Sequence, residues 1–136
     1  MITAVDTSVL LDILGGDATF GRRSLRAVRR CLAEGRLVAC DVVWAEVAGY
    51  YPTTASADDA MSRLGVEYEQ LSRSAALAAG LAWRRYRERG GARSRMVADF
   101  LIAAHALAHA DRMLTRDRGF YWAYFEGLSI VDPTAD

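Results

Sequence analysis

The chain has 136 residues, with seventeen Lys+Arg against seventeen Asp+Glu, and every cation is an arginine. This length suits one domain, and a content of 52% hydrophobic and 25% charged residues is typical of a folded globular protein. The absence of lysine excludes Schiff-base chemistry and a phosphate loop ending in Gly-Lys, and the zero net charge argues against indiscriminate nucleic-acid binding.

Short apolar runs alternate with helical patterns along the chain. Strands are predicted at residues 2–5, 37–40, 66–71, 113–115 and 128–131. Helices are predicted from residue 9 to the Gly15-Gly16 pair and at 20–34, 42–50, 56–64, 72–89 and 96–110, with Thr7 or Ser8 capping the first and Asp41 the third. The alternation predicts an α/β layer fold with a mostly parallel sheet, in a single domain spanning residues 1–136.

The sequence also predicts a cytoplasmic protein without a membrane partner. Its N-terminal segment, from Met1 to Asp6, lacks the cationic start of a signal peptide, and no apolar run approaches the roughly 20 residues of a membrane span. Cys31 and Cys40 form no C-x-x-C pair, so we expect two buried thiols rather than a disulfide or a zinc ribbon.

Four carboxylates from distant parts of the chain stand at strand ends or near helix starts. Asp6 ends the first predicted strand and Asp117 lies just past the fourth, whereas Glu46 and Asp99 lie near the starts of two helices. In parallel sheets the carboxyl ends of the strands and the starts of the following helices share one rim, where ligands bind. We therefore expect these four acids to converge.

Four carboxylates in one place require neutralisation of their negative charge. Two carboxylates about 4 Å apart repel by roughly 4 kcal/mol at an effective dielectric constant near 20, so protons or cations must join them. Ligand sets made only of oxygen select Mg²⁺ or Mn²⁺, and such a site suits phosphodiester hydrolysis. Hydroxyls are available nearby from Thr7, Ser8 and Thr115.

Each acid also has a simpler interpretation. Asp6 can cap a helix, Asp99 and Asp117 can stabilise helix N-termini, and Glu46 can lie on a solvated face. The other acids, including Asp12, are predicted to be surface residues.

Four segments together carry a more specific signal: residues Val5 to Leu11, Val43 to Val47, Asp99 to Ala106 and Leu114 to Phe120. Their content, their order and the chain length resemble the PIN-domain family, specifically the VapC-type toxins of prokaryotic toxin–antitoxin pairs. The resemblance covers essentially the whole chain and implies a three-layer α/β/α domain with a parallel sheet of order 3-2-1-4-5.

The resemblance also implies a Mg²⁺- or Mn²⁺-dependent endoribonuclease that forms a homodimer and binds a VapB-like antitoxin. By position, Asp6, Glu46, Asp99 and Asp117 match the family's acidic quartet, with Asp6, Asp99 and Asp117 as metal ligands. Thr7 and Thr115 match the usual hydroxyl neighbours. The targeted RNA, whether tRNA, rRNA or mRNA, is not implied.

The remaining polar and aromatic clusters have weaker interpretations. Arginine is dense at 22–30 and 84–95, and both segments are expected to form solvated helix faces. Arg93, Arg95 and Arg116 are predicted RNA contacts, because they precede Asp99 or Asp117 in the sequence. His105 and His109 are expected to be packing or surface residues. Core or dimer packing is expected, with base stacking as the alternative, for the aromatic residues Tyr50, Tyr51, Phe120, Tyr121, Trp122, Tyr124 and Phe125.

Two rival functions remain open at this stage. Another phosphoryl-transfer enzyme, such as a phosphatase, would favour an Asp-x-Asp motif, but Ser8 occupies the second position after Asp6. A non-catalytic RNA- or protein-binding module would not need the four acids at all.

Overall fold

A computed structural model describes residues 1–91 and 97–135. Within these residues one sheet is formed, in which every neighbouring pair of strands is parallel. Its order is β3-β2-β1-β4-β5, which confirms the predicted α/β fold and strand order. The strands are β1 (Ile2–Val5), β2 (Arg36–Cys40), β3 (Val66–Glu69), β4 (Arg112–Leu114) and β5 (Ile130–Val131).

Helices connect the strands. The six that the sequence predicts are present within a few residues of the expected bounds, and a seventh, α7, was not predicted. The helices are α1 (Thr7–Leu14), α2 (Gly21–Glu34), α3 (Asp41–Ala48), α4 (Thr54–Leu64), α5 (Arg73–Glu88), α6 (Val97–His109) and α7 (Arg118–Tyr124).

Helix α7 depends on packing rather than on local preference. It contains a glycine and several aromatic residues, which are weak helix formers. Its Tyr121 is 1% exposed, and the rings of Phe120 and Tyr124 lie 5.3 and 6.1 Å from that of Phe100 on α6. Burial of these rings supplies the stability that the short helix lacks. It confirms core packing for Tyr121 and Phe125, whereas Trp122 is 54% exposed.

The caps of two helices differ from the prediction. Asp6, rather than Thr7 or Ser8, caps α1, because its Oδ1 accepts a hydrogen bond of 2.8 Å from the backbone amide of Thr7. Asp41 lies inside the first turn of α3, whose N-cap is Cys40. The acid that ends β1 therefore also starts the helix that follows.

The strand order places a crevice beside Asp6. After β1 the chain adds β2 and β3 on one side, then crosses to add β4 and β5 on the other. Ligands bind in open parallel sheets at such a switch, outside the carboxyl ends of the strands. The amide of Asp6 donates to the carbonyl of Leu114 at 3.0 Å, which extends the pairing of β1 and β4 to the crevice.

The core lies on both faces of the sheet. Val5, Leu37, Val38, Met113 and Leu114 are at most 1% exposed. Both cysteines are buried and unbonded, as expected. No helix in the described ranges has both the length and the apolar character that crossing a bilayer requires.

Two glycines allow a matched test of the fold. A Cβ at Gly35 would overlap the backbone of Met1, whose carbonyl accepts a hydrogen bond from Arg36 at the start of the β1–β2 pair. We expect Gly35→Ala to lower the free energy of unfolding by roughly 2 kcal/mol, measured by urea denaturation.

Gly80 is the control, because it lies inside α5 with nothing within 4 Å of an added Cβ. Gly80→Ala should raise the free energy of unfolding by about 1 kcal/mol. Shifts of the same sign in both variants would contradict the close approach at Gly35.

Candidate active site

A cavity of about 530 Å³ opens at the carboxyl ends of β1 and β4, and all four predicted acids line it. Asp6 follows β1, Asp117 follows β4 as the N-cap of α7, Asp99 lies in the first turn of α6, and Glu46 lies on α3. The lining is completed by Thr7, Ser8, Leu11, Tyr50 and Tyr121.

Thr115 joins two of the acids. Its Oγ1 donates a hydrogen bond of 2.7 Å to Oδ2 of Asp6, and the same oxygen accepts one of 3.1 Å from the amide of Asp117. Thr115 is fully buried, so this bridge is shielded from water. The hydroxyl thus fixes the Asp6 carboxylate relative to the loop between β4 and α7.

A second threonine holds the acid on α3. Oγ1 of Thr7 donates to Oε1 of Glu46 at 2.6 Å, across a sequence separation of 39 residues. Glu46 is exposed, so this bond restricts a side chain that would otherwise move in solvent. Both predicted hydroxyl neighbours therefore contact an acid, and Ser8 borders the same cavity.

The carboxyl of Asp6 is costly to ionise. Burial raises its pKa to about 6, and the charge of Asp99 acts in the same direction. Hydrogen bonds from Thr115, from the amide of Thr7 and, at 3.4 Å, from the hydroxyl of Tyr121 oppose the rise. Desolvation outweighs these bonds, so a cation entering the cavity would relieve an unfavourable negative charge.

The donor set fits a hard divalent cation. The polar side chains that line the cavity offer carboxylate and hydroxyl oxygens, which Mg²⁺ and Mn²⁺ prefer. In the described part of the chain no three His, Cys, Asp or Glu side chains are already arranged to hold a metal ion.

Comparison with known proteins agrees with this geometry. A family model described as PIN domain matches residues 3–126. The chain belongs to the PIN-domain family. No curated protein sequence matches it.

Solved structures with the same fold cover nearly the whole of this PIN domain. It is similar to a chain of VapBC-1 from nontypeable Haemophilus influenzae, at 19% identity and a TM-score of 0.74, covering 99% of this chain and 100% of that one. VapBC2 from Rickettsia felis, bound to a promoter DNA fragment, gives 15% identity, a TM-score of 0.71 and coverages of 97% and 98%. FitAcB from Neisseria gonorrhoeae gives 18% identity and a TM-score of 0.67, and the match covers 98% of each chain.

Arg116 has a structural partner that the sequence did not suggest. Its Nε and Nη2 donate to the two oxygens of Asp12 at 2.9 and 3.0 Å, and its guanidinium lies 4.0 Å from the ring centre of Phe20. Asp12 is 6% exposed, so its prediction as a surface residue was wrong. Contact of Arg116 with RNA stays a prediction, and this geometry favours a structural role.

The Asp12–Arg116 pair anchors the loop of the acidic cavity, since Arg116 lies between Thr115 and Asp117. Ser24 on α2 adds a hydrogen bond of 2.9 Å to Asp12. The pair thus fastens α1 and α2 to the segment that positions two groups of the site.

Other sequence predictions fall outside the cavity. Arg93 and Arg95 lie outside the described residues. His105 is buried, with its Nε2 3.4 Å from Oε1 of Glu69, and Nε2 of His109 lies 2.9 Å from Oγ of Ser72. These positions agree with the packing or surface roles expected for the two histidines.

Tyr50 is a cavity residue for which the sequence predicted core or dimer packing. It is 73% exposed, so it is not part of the core, and it lines the cavity beside Glu46. Dimer packing of Tyr50 stays a prediction. The predicted helix 42–50 would put Tyr50 on one face with Glu46, but α3 ends at Ala48 and Tyr50 follows it.

The raised pKa of Asp6 predicts a pH-dependent stability. Below its ordinary pKa the carboxyl is protonated in both states, and as the pH rises through about 6 the folded state loses the advantage of holding that proton. We expect the difference in unfolding free energy between Asp6→Asn and the wild type to change by roughly 1.5 kcal/mol in favour of the variant as the pH rises from about 5 to about 8. Urea denaturation in the presence of EDTA measures this difference.

Asp59→Asn is the control for that experiment, because the side chain of Asp59 is 60% exposed and pairs with Arg63 on the same helix. A stability difference between Asp6→Asn and the wild type that did not change with pH would contradict the raised pKa of Asp6.

The Asp12–Arg116 anchor predicts strong coupling. Removal of one partner leaves a buried charge unpaired, so Asp12→Asn and Arg116→Ala should each cost roughly 3 kcal/mol of stability. The double variant should cost less than the sum of the two, as measured in a double-mutant cycle. Additive costs of the two substitutions would refute the coupling.

Arg36→Ala is the control, because it removes the exposed Arg36–Glu67 pair. This variant should leave the melting temperature unchanged.

Proposed function

We propose that this PIN domain is a Mg²⁺- or Mn²⁺-dependent endoribonuclease and the toxin of a type II toxin–antitoxin pair of the VapC type. The observation that carries the proposal is the convergence of Asp6, Glu46, Asp99 and Asp117 on one cavity at the switch point of the sheet. Family membership and the similarity to VapBC and FitAcB structures support a nuclease role.

In this proposal Asp6, Asp99 and Asp117 hold the divalent ion, and Glu46 holds a second ion or orients the attacking water. The bound ion would supply positive charge that activates water and stabilises the leaving oxygen of the phosphodiester. Cleavage leaves a 3′-hydroxyl and a 5′-phosphate.

The chain's own groups prepare the site for this reaction. The hydroxyl of Thr115 holds the carboxylate of Asp6, and the hydroxyl of Thr7 holds that of Glu46. Tyr121 is buried and its hydroxyl lies 3.4 Å from Oδ2 of Asp6, so it shields that side of the carboxylate from water. Exposed Tyr50 stands at the edge of the cavity, where its ring is available to stack on a base.

The proposed partners are an RNA substrate, a VapB-like antitoxin and a second copy of the chain in the cytoplasm. Apolar side chains beside the acidic cavity suit an antitoxin helix: Leu11, Leu14 and Tyr51 line a groove that shares Leu11 and Tyr50 with the cavity. A basic side chain of the antitoxin entering the cavity would neutralise the carboxylates much as a metal ion does.

Substitution of the cavity acids tests the catalytic assignment. Asp6→Asn and Asp99→Asn should each lower the rate of Mn²⁺-dependent RNA cleavage by at least about 100-fold, because each removes a metal-binding charge. Cleavage of total RNA, with sequencing of the new 5′-ends, provides the measurement and identifies the target RNA.

Asp59→Asn serves as the matched control, since it removes an exposed acid outside the cavity and should retain full activity. Thermal melting of all variants separates misfolding from loss of chemistry. Undiminished cleavage by either cavity variant would refute the assignment, and RNA binding without cleavage by the wild type would favour a non-catalytic binding module.

A further inference from the structure

One exposed face of α2 is built of arginine. At about 100° per residue the five side chains span roughly 120° of the helix circumference. They lie opposite the buried Ser24, Val28 and Cys31. We call this surface the α2 arginine face, and it consists of Arg22, Arg23, Arg26, Arg29 and Arg30.

The charges of this face are not neutralised within residues 1–91 and 97–135. Arg23 donates to the carbonyl of Thr134 at 3.5 Å, and none of the five arginines forms a salt bridge there. Glu34, the acid of α2, instead binds Arg112 at 2.8 Å. A chain with zero net charge thus presents an uncompensated cationic stripe.

The second arginine-rich segment differs in the part that the structure describes. On α5, Arg84 binds Glu88 at 2.8 Å, and the guanidinium of Arg87 lies 4.4 Å from the ring centre of Trp83. Arg89, which follows α5, lies 5.7 Å from the ring centre of Tyr124. These arginines have internal partners, whereas those of α2 are available to an external anion.

Helix α2 is fastened to the loop of the acidic cavity by the side opposite its arginine face. Ser24 and Arg116 both bind Asp12, and Arg116 stacks on Phe20, the residue directly before α2. Because Arg116 lies between two site residues, the first turn of α2 is held beside the loop that carries Asp117. A polymer that leaves the cavity past this loop meets the N-terminal end of α2, where Arg22 and Arg23 are exposed.

We propose that the α2 arginine face binds the phosphate backbone of the RNA that flanks the cleaved bond. This inference rests on the proposed ribonuclease function and adds the surface that gives the enzyme its affinity. Without a bound cation the cavity acids repel phosphates, and a separate cationic surface would attract the RNA on either side of the cleaved bond. Arginine suits this role because its fork binds phosphate oxygens at two points.

The composition of the face favours RNA over an acidic protein. Hot spots of protein interfaces combine arginine with tryptophan and tyrosine, whereas this face consists of arginines with Ala33 among them and has no aromatic member. From Arg22 to Arg30 the stripe runs about 12 Å along the helix, which matches an extended polyanion rather than a single carboxylate.

Replacement of three arginines spread along the face tests the proposal. The variant Arg22→Gln/Arg26→Gln/Arg29→Gln should bind a fluorescein-labelled single-stranded RNA at least about 10-fold more weakly at roughly 50 mM salt than the wild type. The slope of log affinity against log salt should fall by about 2, since each lost phosphate contact contributes roughly 0.7. Anisotropy with EDTA present measures binding without cleavage.

The control variant is Arg73→Gln/Arg84→Gln/Arg87→Gln on α5, which removes the same charge from exposed positions and should leave both quantities unchanged. Replacement of the three α2 arginines by lysine should restore most of the affinity. With Mn²⁺, the α2 glutamine variant should raise KM for RNA without lowering kcat at saturating RNA.

Equal losses in the α2 and α5 variants, or an unchanged salt slope, would overturn the proposal. So would polyglutamate binding as strong as that of RNA and equally lost in the α2 variant, because that result would indicate an acidic peptide partner. Failure of the wild type to cleave RNA would refute the proposed function alone, since the binding measurement does not depend on cleavage.

Discussion

The carboxylate of Asp6 loses nearly all of its water when the chain folds, because only 8% of the residue stays exposed. It ends the central strand, caps α1 and accepts hydrogen bonds from Thr115 and Tyr121. These bonds hold the group in place but do not repay its desolvation, so its pKa rises to about 6. The fold thus maintains a charge that a bound cation would stabilise, and the other three acids gather around that position.

The loop between β4 and α7 must be held firmly for this arrangement to last. Thr115 turns inward to Asp6, whereas Arg116 turns to Asp12 and the ring of Phe20. The aromatic packing of α7 on α6 fixes the far side of the same loop. Core packing in this way restrains the position of Asp117 at the cavity.

Charge is separated along the chain although its sum is zero. Four acids line the cavity, Arg84 and Arg87 of α5 contact neighbouring side chains, and the arginines of α2 remain exposed without acidic partners in the described part of the chain. The net charge therefore says little about this PIN domain, because a negative cavity and a positive helix face cancel in the sum.

Sequence reasoning recovered the alternation of strands and helices and the four acids that line the cavity. Both follow from local signals, namely the alternation of apolar periodicities and the position of each acid at a strand end or helix start. The strand order was implied by the resemblance to the PIN-domain family and not by these signals. The same reasoning missed α7 and placed Asp12 on the surface, and both errors concern burial, which a short stretch of sequence does not specify.

By itself, the sequence determined the α/β fold and the set of carboxylates, because backbone preferences and strand-end positions act over a few residues. The family followed from four motifs and their order along the chain. Only the tertiary structure decided which charged groups are buried, paired or left exposed. Asp12 and Arg116 are separated by 104 positions, and Asp6 and Thr115 by 109, yet each pair forms a hydrogen bond below 3 Å. Electrostatic energies depend on such distances and on the water that burial removes, and both exist only once the chain has folded.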